Sequence, residues 1–257
     1  EKRDYDSLKA VYVIADKLKI SKKDIGFAGN KDKHAITTQA ISIKQGKKEM
    51  EKFVFKDLSL KYLGQGKKEI FIGNLKANKF TITIRNLEEN EMVKIQDPEK
   101  EKLHVPNLYG HQRFSKSNDR IGKAILKNDF KHAIDLIVES NSEFSEEIKT
   151  HLEKSPNDFV TALKKVPLNL LKLYIHAYQS KLFNEIAKKL AQEKVKTIPI
   201  IGFGTEFEND SVREAAIGVM KQEDISERDF IFREIPELSM EGDIRNAFLE
   251  INDFKVK

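Results

Sequence analysis

The sequence predicts an α+β fold, in which a mixed, mainly antiparallel sheet domain is interrupted by a mainly helical insertion. Two observations support this fold class. In the first third of the chain, short segments alternate apolar and polar residues between Gly, Asn and Lys turns, as half-buried strands do. From residue 119 to residue 194, apolar residues recur almost continuously at helical spacing. We therefore predict a sheet domain over residues 1–115, a helical insertion over residues 116–236 and a return to the sheet domain over residues 237–257.

The first elements in order are a helix, a strand, a polar loop and a second strand. Apolar residues recur at helical spacing over residues 6–18, behind a polar start, which predicts a capped amphipathic helix. Residues 25–29 are mostly apolar and end at a glycine, as buried strands often do, whereas residues 35–44 alternate like a half-buried strand. The loop between them, residues 30–34, is strongly polar. Because loops on a rigid scaffold commonly carry catalytic groups, this loop is the first candidate site.

The remaining elements follow the same two periodicities. Alternation predicts further strands at residues 69–72, 79–85 and 92–95. Helical spacing predicts helices at residues 119–127, 130–140, 145–154, 169–194 and 211–220. Strand signals return at residues 198–203, and residues 247–256 alternate once more.

Composition excludes several classes of protein. No apolar run approaches the roughly 20 residues that a membrane-spanning helix needs, and no charged-then-apolar leader opens the sequence. Cysteine is absent, which excludes a disulfide framework, and the histidines are scattered without metal-ligand spacing. We therefore expect a cytoplasmic protein with no metal. The formal net charge of +5 suits a polyanionic partner and equally an ordinary surface rich in Lys and Glu.

The most distinctive stretch is the loop after the first predicted strand, where Asp32 lies between Lys31 and Lys33. Asn, Lys and Asp are common turn residues, so the pattern by itself favours a solvated structural turn. A phosphate-binding loop is excluded, because the upstream glycine and the following Ser or Thr of that motif are missing. The flanking lysines favour the ionised carboxylate, which suits a nucleophile better than an acid.

A longer pattern around Asp32 resembles the signature of the TruD family of pseudouridine synthases. Residues 29–39 read Gly-Asn-Lys-Asp-Lys-His-Ala-Ile-Thr-Thr-Gln and match Gly-x-Lys-Asp-x-x-Ala-x-Thr-x-Gln at every fixed position. Residues 107–115, Asn-Leu-Tyr-Gly-His-Gln-Arg-Phe-Ser, are similar to a second family element, Asn-Tyr-Phe-Gly-x-Gln-Arg-Phe-Gly. Shorter similarities follow in the family's order at residues 2–8, 78–85, 177–184 and 240–245. The likeness therefore extends over nearly the whole chain.

The resemblance implies an isomerase that converts uridine to pseudouridine in tRNA, at position 13 of the D arm, without a cofactor or a metal. It implies the pseudouridine-synthase sheet domain with a helical inserted domain, and a monomer whose partner is RNA. It also implies that Asp32 is catalytic and that Asn107, Tyr109 and Lys31 bind the substrate. A carboxylate could abstract the C2′ proton of the sugar, attack C1′ or add to C6 of the base. The sequence does not choose among these three routes.

The second motif leaves two questions open. Tyr109 takes the place of the family's Phe, which keeps a ring for stacking on an extruded base and adds a hydroxyl that needs a partner. Gln112, Arg113 and Phe114 suit substrate contact and loop bracing equally. In the predicted sheet half, exposed-looking turns carry lysines that are candidates for a phosphate-binding groove: Lys44, Lys47, Lys48, Lys67, Lys68, Lys76 and Lys79.

Two other functions fit parts of the sequence. The first is a non-catalytic RNA-binding protein of the same fold, or a KH-like module, because Gly26-Phe-Ala-Gly29 is similar to the GXXG loop of KH domains. The second is a docking face for a partner protein on the long predicted helix, although core packing explains the same apolar residues: Leu170, Leu173, Ile175, Leu182 and Phe183. The family's first strand and its closing strand, which carries an aromatic residue of the family's pocket, have no counterpart within residues 1–257.

Overall fold

The computed structural model describes residues 1–91 and 100–255, and the chain divides into two compact units, Glu1–Leu87 and Glu88–Lys257. Helices and antiparallel strand pairs both occur, which confirms the predicted α+β class. In the part of the chain that the structure describes, no helix is long and apolar enough to cross a membrane. The helical insertion over residues 116–236 stays a prediction, because the division into units does not test it.

The first unit is organised around one helix, α1 (Ser7–Leu18), which confirms the predicted capped helix. The carboxylate of Asp6 accepts hydrogen bonds from the backbone N–H groups of Leu8 and Lys9, at 2.8 and 3.2 Å, and so caps the first turn. The helix ends at Lys19, which has a left-handed conformation with φ 56°. One face of α1 is buried against Ile25 and Leu58 and contributes these small and branched residues: Ala10, Val11, Ile14 and Ala15.

Short antiparallel strand pairs accompany this helix: β1 (Lys2–Arg3) with β3 (Ile36–Thr37), and β2 (Ile25–Phe27) with β4 (Ile41–Ile43). Within the second pair, Ile25 lies opposite Ile43 and Phe27 lies opposite Ile41, so apolar residues face one another across the ladder. Strand β2 confirms the strand predicted before the polar loop, whereas the single strand predicted over residues 35–44 is divided into β3 and β4, which belong to different sheets. The loop is therefore anchored at both ends, by β2 before it and β3 after it.

The strands predicted at residues 69–72 and 79–85 are wrong, because no helix or strand forms between residues 60 and 87. The apolar side chains that suggested them are 60% to 77% exposed: Phe71, Ile72, Phe80, Ile82 and Ile84. Alternation shows that one face of a segment is apolar, but a strand also needs a neighbour for its backbone hydrogen bonds. None of the described residues forms a ladder with this segment. The strand predicted at residues 92–95 lies outside the described residues.

The second unit is built mainly from helices, which confirms the helical periodicity after residue 118. They are α2 (Asn118–Leu126), α3 (Phe130–Glu139), α4 (Ser145–Lys154), α5 (Phe159–Leu163), α6 (Leu168–Lys189) and α7 (Asp210–Glu223). The long helix α6 carries buried residues on several sides and lies at the centre of one continuous apolar core. Only its end differs from the prediction, since the helix stops at Lys189 and not at residue 194.

The packing of α6 excludes most of the predicted protein-docking face. Ile175, Leu182 and Phe183 are fully buried in the core, and Leu170 packs partly buried against it. Leu173, at 39% exposed, is the one member of the set with substantial solvent contact. A face of this kind cannot receive a partner without opening the core, so core packing is the role of these residues.

Two strand pairs complete the second unit. Strand β5 (Lys100–Pro106) pairs antiparallel with β8 (Phe248–Phe254), and β6 (Thr197–Ile200) pairs antiparallel with β7 (Asp243–Asn246). Strands β6 and β8 confirm the strand signals predicted at residues 198–203 and 247–256, whereas β5 was not predicted. Because Pro106 lies opposite Phe248, the second motif begins beside the junction of β7 and β8.

Candidate active site

The first motif places Asp32 in the middle of the loop that joins β2 to β3. The residue is exposed. Within residues 1–91 and 100–255, its carboxylate makes no hydrogen bond and no ion pair with the protein. A carboxylate that is exposed and unpartnered is available to a ligand. Lys31, immediately before it, is half-buried and is tied to the unit through its backbone.

Two side chains hold the backbone of this loop. The N–H of Lys31 donates to the Oγ of Ser7 at 2.9 Å, at the start of α1. The ammonium of Lys2 donates to the carbonyl of Asp32 at 2.7 Å, to that of Tyr5 at 2.6 Å and to that of Lys31 at 3.4 Å. Both anchoring residues are buried, Ser7 at 2% exposed and Lys2 at 5%. The loop therefore has a fixed backbone and a free carboxylate.

Burial lowers the pKa of the Lys2 ammonium below its ordinary value, because removal from water disfavours the charged form. The carboxylates of Asp6, Asp32 and Asp4 act in the opposite direction and favour the charge. Sequence reasoning gave Lys2 no role. A single lysine carries no signal of its own, and its acceptors at residues 31 and 32 become neighbours only when β1 pairs with β3.

The second motif begins at Asn107, whose side chain is buried, at 5% exposed. Its Nδ2 donates to the carbonyl of Asn246 at 2.8 Å, and its Oδ1 accepts from Nη2 of Arg245. Its backbone is held as well, because its N–H donates to the carbonyl of Ala247 at 2.9 Å and its carbonyl accepts from Nε of Arg245 at 3.3 Å. The second N–H of the side-chain amide makes no hydrogen bond to the described residues.

Tyr109 is half-buried between aromatic and cationic groups. Its ring meets the ring of Phe183 edge-on, with centroids 5.4 Å apart and an interplanar angle of 82°. The guanidinium carbon of Arg245 lies 4.2 Å from the centroid of the Tyr109 ring, within the range of a cation–π interaction. The backbone of Tyr109 is fixed by Asn184, which donates to its carbonyl and accepts from its N–H, both at 2.9 Å. Arg245 thus touches both predicted substrate-binding residues of this motif.

The structure favours a bracing role for Arg113. Its Nε donates to the Oγ of Ser180 on α6 at 3.1 Å, and its guanidinium lies 5.6 Å from the Tyr109 ring centroid. Gln112 is exposed and Phe114 is half-buried. The contact residue that sequence reasoning missed here is Arg245, which lies 138 positions from Asn107.

The predicted site residues fall into two groups. Lys31 and Asp32 lie together in the first unit, whereas Asn107 and Tyr109 lie together in the second. The candidate groove lysines, from Lys44 to Lys79, are all exposed. In the described part of the chain, no group of three or more His, Cys, Asp or Glu residues could hold a metal ion.

The KH-like interpretation of residues 26–29 is wrong. Gly26 lies inside β2, and a Cβ atom at this position would be 2.0 Å from the backbone oxygen of Ile70. The glycine is therefore needed for a close approach of two backbones within the protein. It is not free to clamp the backbone of RNA.

Known proteins resemble this chain over nearly its whole length. The family model described as tRNA pseudouridine synthase D (TruD) matches residues 1–150, 144–196 and 190–257. A protein of Methanopyrus kandleri named probable tRNA pseudouridine synthase D is 27% identical over 98% of this chain and 76% of its own length. The namesake from Methanosarcina mazei is 28% identical over 97% of this chain and 77% of its own length.

A solved structure gives the same result for the fold. The crystal structure of a protein from Methanosarcina mazei, described as a tRNA pseudouridine synthase D (TruD), superposes with a TM-score of 0.76 at 25% sequence identity. The superposition covers 97% of this chain and 77% of that protein. With the family model matched from residue 1 to residue 257, the chain belongs to the tRNA pseudouridine synthase D (TruD) family.

Proposed function

We propose that this chain isomerises uridine to pseudouridine in tRNA, at position 13, and that the carboxylate of Asp32 is the nucleophile. One observation carries the proposal: the loop of the family motif holds its backbone through Lys2 and Ser7 while the Asp32 carboxylate stays exposed and unpartnered within the described residues. A fixed backbone with a free reactive group is the arrangement that positioning of a nucleophile requires.

The reaction needs no second substrate. The bond between N1 of uracil and C1′ of ribose breaks, the base turns over in the pocket, and C5 forms a bond to the same C1′. The proton on C5 is then released to solvent and N1 takes up a proton from solvent, so the atoms balance without any other group from outside. One carboxylate is enough for each of the routes available, whether Asp32 attacks C1′, adds to C6 or abstracts the C2′ proton.

Substrate binding by Asn107, Tyr109 and Lys31 is part of the same proposal. The target base must leave its stack before a carboxylate can reach it, and an extruded base is bound by an aromatic ring and by groups that pair with its polar edge. Tyr109 offers the ring, and Asn107 offers its remaining N–H. Lys31 supplies a cation next to Asp32, where the RNA backbone passes.

The proposed tRNA substrate also bears on phosphate contacts, oligomeric state and cellular location. The exposed lysines of the first unit, from Lys44 to Lys79, suit contacts to phosphates on either side of the target base. We propose a monomer acting in the cytoplasm, since tRNA is the substrate and the sequence contains no cysteine that an oxidising compartment would pair.

The experiment is tritium release from tRNA labelled with 5-³H-uridine, because the C5 proton is lost only when pseudouridine forms. Three proteins are compared: the wild type, Asp32→Asn, and Asp16→Asn as a matched control. Asp16 is 86% exposed, and its ion pair with Lys19 is a surface pair of small energetic value. We expect release by the wild type and the control and none by Asp32→Asn, with all three binding tRNA equally well. A tRNA carrying cytidine at position 13 should give no release.

The outcomes separate the parts of the proposal. Equal release by Asp32→Asn and Asp16→Asn would show that Asp32 is not the nucleophile. Release that persists when position 13 is cytidine would overturn the target position and leave the activity. If the folded wild type binds a panel of tRNAs and releases no tritium from any of them, the chain is a non-catalytic RNA-binding relative.

A further inference from the structure

Lys2 is a buried ammonium whose hydrogen bonds all go to backbone carbonyls around the candidate nucleophile. The residue is 5% exposed, and Nζ donates to the carbonyls of Tyr5, Asp32 and Lys31 at 2.6, 2.7 and 3.4 Å. An ammonium has three N–H donors, so these acceptors use its full capacity. Its hydrogen bonds connect the chain just before α1 to the peptide groups at Lys31 and Asp32.

Keeping a charge at this position has an energetic cost. An ammonium loses hydration when it is buried, and the lowered pKa of Lys2 reflects that loss. The charged groups that face it are the carboxylates of Asp4, Asp6 and Asp32 and the ammonium of Lys31. A neutral side chain in a two-residue strand such as β1 would avoid the cost. In return, the ammonium of Lys2 donates hydrogen bonds to the backbone of the loop that carries Asp32.

We propose that Lys2 is a positioning residue for Asp32, holding the peptide groups on both sides of its Cα so that the carboxylate points in one direction. This inference rests on the proposed function, because it gives Lys2 a role in that same site. Ser7 supplies the second attachment, accepting from the N–H of Lys31 at 2.9 Å. With both attachments in place, the direction of the carboxylate is set before RNA binds.

The test compares Lys2→Met, Lys2→Arg and Lys17→Met. Methionine keeps an unbranched side chain of similar length and removes the charge and its donors, whereas arginine keeps both. Lys17 is an exposed lysine near the end of α1, so Lys17→Met is a matched control. Each protein is measured for the single-turnover rate of tritium release, for tRNA affinity, and for hydrogen exchange of the amides in residues 28–35.

We expect Lys2→Met to lower the single-turnover rate about 10- to 100-fold, as a misplaced reactive group does, while the Kd for tRNA changes less than about 2-fold, since Lys2 is not exposed to RNA. Amides of the loop should exchange faster, that of Lys31 above all. Lys2→Arg should recover part of the rate and part of the protection. A merely structural role would lower thermal stability and leave the rate of the folded protein unchanged.

Two results with Lys2→Met would overturn the inference. One is a folded variant with the wild-type rate of tritium release and the wild-type protection of the loop amides from exchange. The other is a loss of rate that is matched by a loss of tRNA affinity. If Lys2→Met does not fold, Ser7→Ala removes the second attachment without removing a charge. Unchanged amide exchange and an unchanged rate of tritium release in Ser7→Ala would also contradict the proposal that these attachments position the loop. If the wild type releases no tritium, the proposed function fails by itself, and the exchange data still decide whether Lys2 orders the loop.

Discussion

At the scale of single residues, Arg245 connects the parts of the second motif. It donates to the carbonyl and the Oδ1 of Asn107, and its guanidinium lies over the ring of Tyr109. A lysine at this position would keep the charge but lose the fork of donors and the planar stacking surface. The side-chain oxygen of Asn107, which is buried, would then be left without its donor.

We therefore predict that Arg245→Lys lowers the free energy of unfolding by about 1–3 kcal/mol, the usual cost of an unsatisfied buried polar group. Urea denaturation of the wild type and the variant measures this change in the free energy of unfolding. Arg213→Lys is the control, because Arg213 lies on the surface of α7, 5.6 Å from the ring of Phe207, and its nearest carboxylate is 3.9 Å away. An equal effect of the two substitutions would show that the contacts of Arg245 are worth no more than those of a surface arginine.

Glu223, at the end of α7, is a second residue whose side chain contacts several partners. Its carboxylate accepts from Nζ of Lys123 at 2.7 Å and from the hydroxyl of Tyr178 at 3.0 Å, and Nζ of Lys181 lies 3.5 Å away. Burial acts to raise the pKa of Glu223, but these donors and cations outweigh it, so its pKa lies below the ordinary value of 4.5. Burial and the same carboxylate raise the pKa of the Tyr178 hydroxyl.

The lowered pKa gives a pH dependence with a definite sign. The unfolded chain binds the proton of Glu223 more readily than the folded chain does, so the stabilisation is complete above about pH 4.5 and is lost as the pH falls further. We predict that Glu223→Gln lowers the free energy of unfolding by about 1–3 kcal/mol at pH 7, and that the difference from wild type shrinks below pH 4.5. A difference that is constant from pH 7 to pH 3.5 would contradict this assignment.

The residue scale also shows what a sequence can reveal about this site. Asp32, Lys31, Asn107 and Tyr109 could be named as candidates, because each lies inside a contiguous motif, and their roles stay a prediction. Lys2 and Arg245 also lie in short segments that resemble the family, but their contacts could not be predicted, because the partners are far along the chain, 30 residues away for Lys2 and 138 for Arg245. Such partners are brought together by folding and leave no local pattern.

At the scale of elements, the tightest contact is between α2 and α6. A Cβ atom at Gly122 would lie 2.1 Å from the backbone oxygen of Tyr174, so the two helices approach closely at this glycine. In an exposed helix, Gly→Ala is stabilising by about 1 kcal/mol. At Gly122 the added methyl group must push the helices apart, and the sign reverses.

We predict that Gly122→Ala lowers the free energy of unfolding by about 1–3 kcal/mol. Gly218→Ala is the matched control on α7, because the nearest atom to its Cβ would be Nζ of Lys189, the mobile end of a long side chain, at 3.2 Å. That variant should be neutral or slightly stabilised. Thermal melts of the two variants measure the contrast, and equal shifts in Tm would show that backbone proximity at Gly122 is unimportant.

Helices could be predicted from the sequence more accurately than strands. A helix closes its hydrogen bonds within its own segment, so the helical period was sufficient to locate α2, α3, α4, α6 and α7, and only the short helix α5 was not predicted. A strand depends on a partner elsewhere in the chain. The alternation at residues 79–85 is as regular as that of β8, yet only β8 has a ladder, with β5.

At the scale of the whole molecule, the two units have apolar cores of very different size. The core of the second unit joins all the helices from α2 to α7, and many of its side chains are completely buried. The core of the first unit is a small cluster around α1. Most apolar side chains of residues 60–87 are exposed and do not enlarge this core. Stability from apolar burial follows the area removed from water, so the second unit should be the more stable.

We therefore predict that hydrogen exchange finds lower protection in β2, β4 and α1 than in α2 and α6, with the difference growing in low concentrations of urea. Mass spectrometry of peptic fragments resolves the two sets of elements. Identical protection in both units, rising and falling together with denaturant, would mean that the chain unfolds in one cooperative step despite its separate cores.

The family and the fold class were predictable at this scale, because two long motifs in the right order are improbable by chance. The predicted domains and the compact units divide the chain at different places, and the domain boundaries stay a prediction. Composition changes near residue 115, where the helices begin, whereas compactness changes at Leu87, before β5. The difference arises because β5 pairs with β8, 142 positions further on at its closest register, and that pairing is invisible in the local sequence.

The bonds between Asn107 and the chain at Asn246 and Ala247 have a consequence for the order of folding. They join positions 139 and 140 residues apart. Closing so long a loop is entropically costly until the helices between have condensed, so these contacts should form after the helical core. During synthesis on the ribosome, this order of formation cannot be reversed. A ribosome-bound chain can assemble its helices as they emerge, but the surroundings of Asn107 and Tyr109 are completed only once residue 247 has left the exit tunnel.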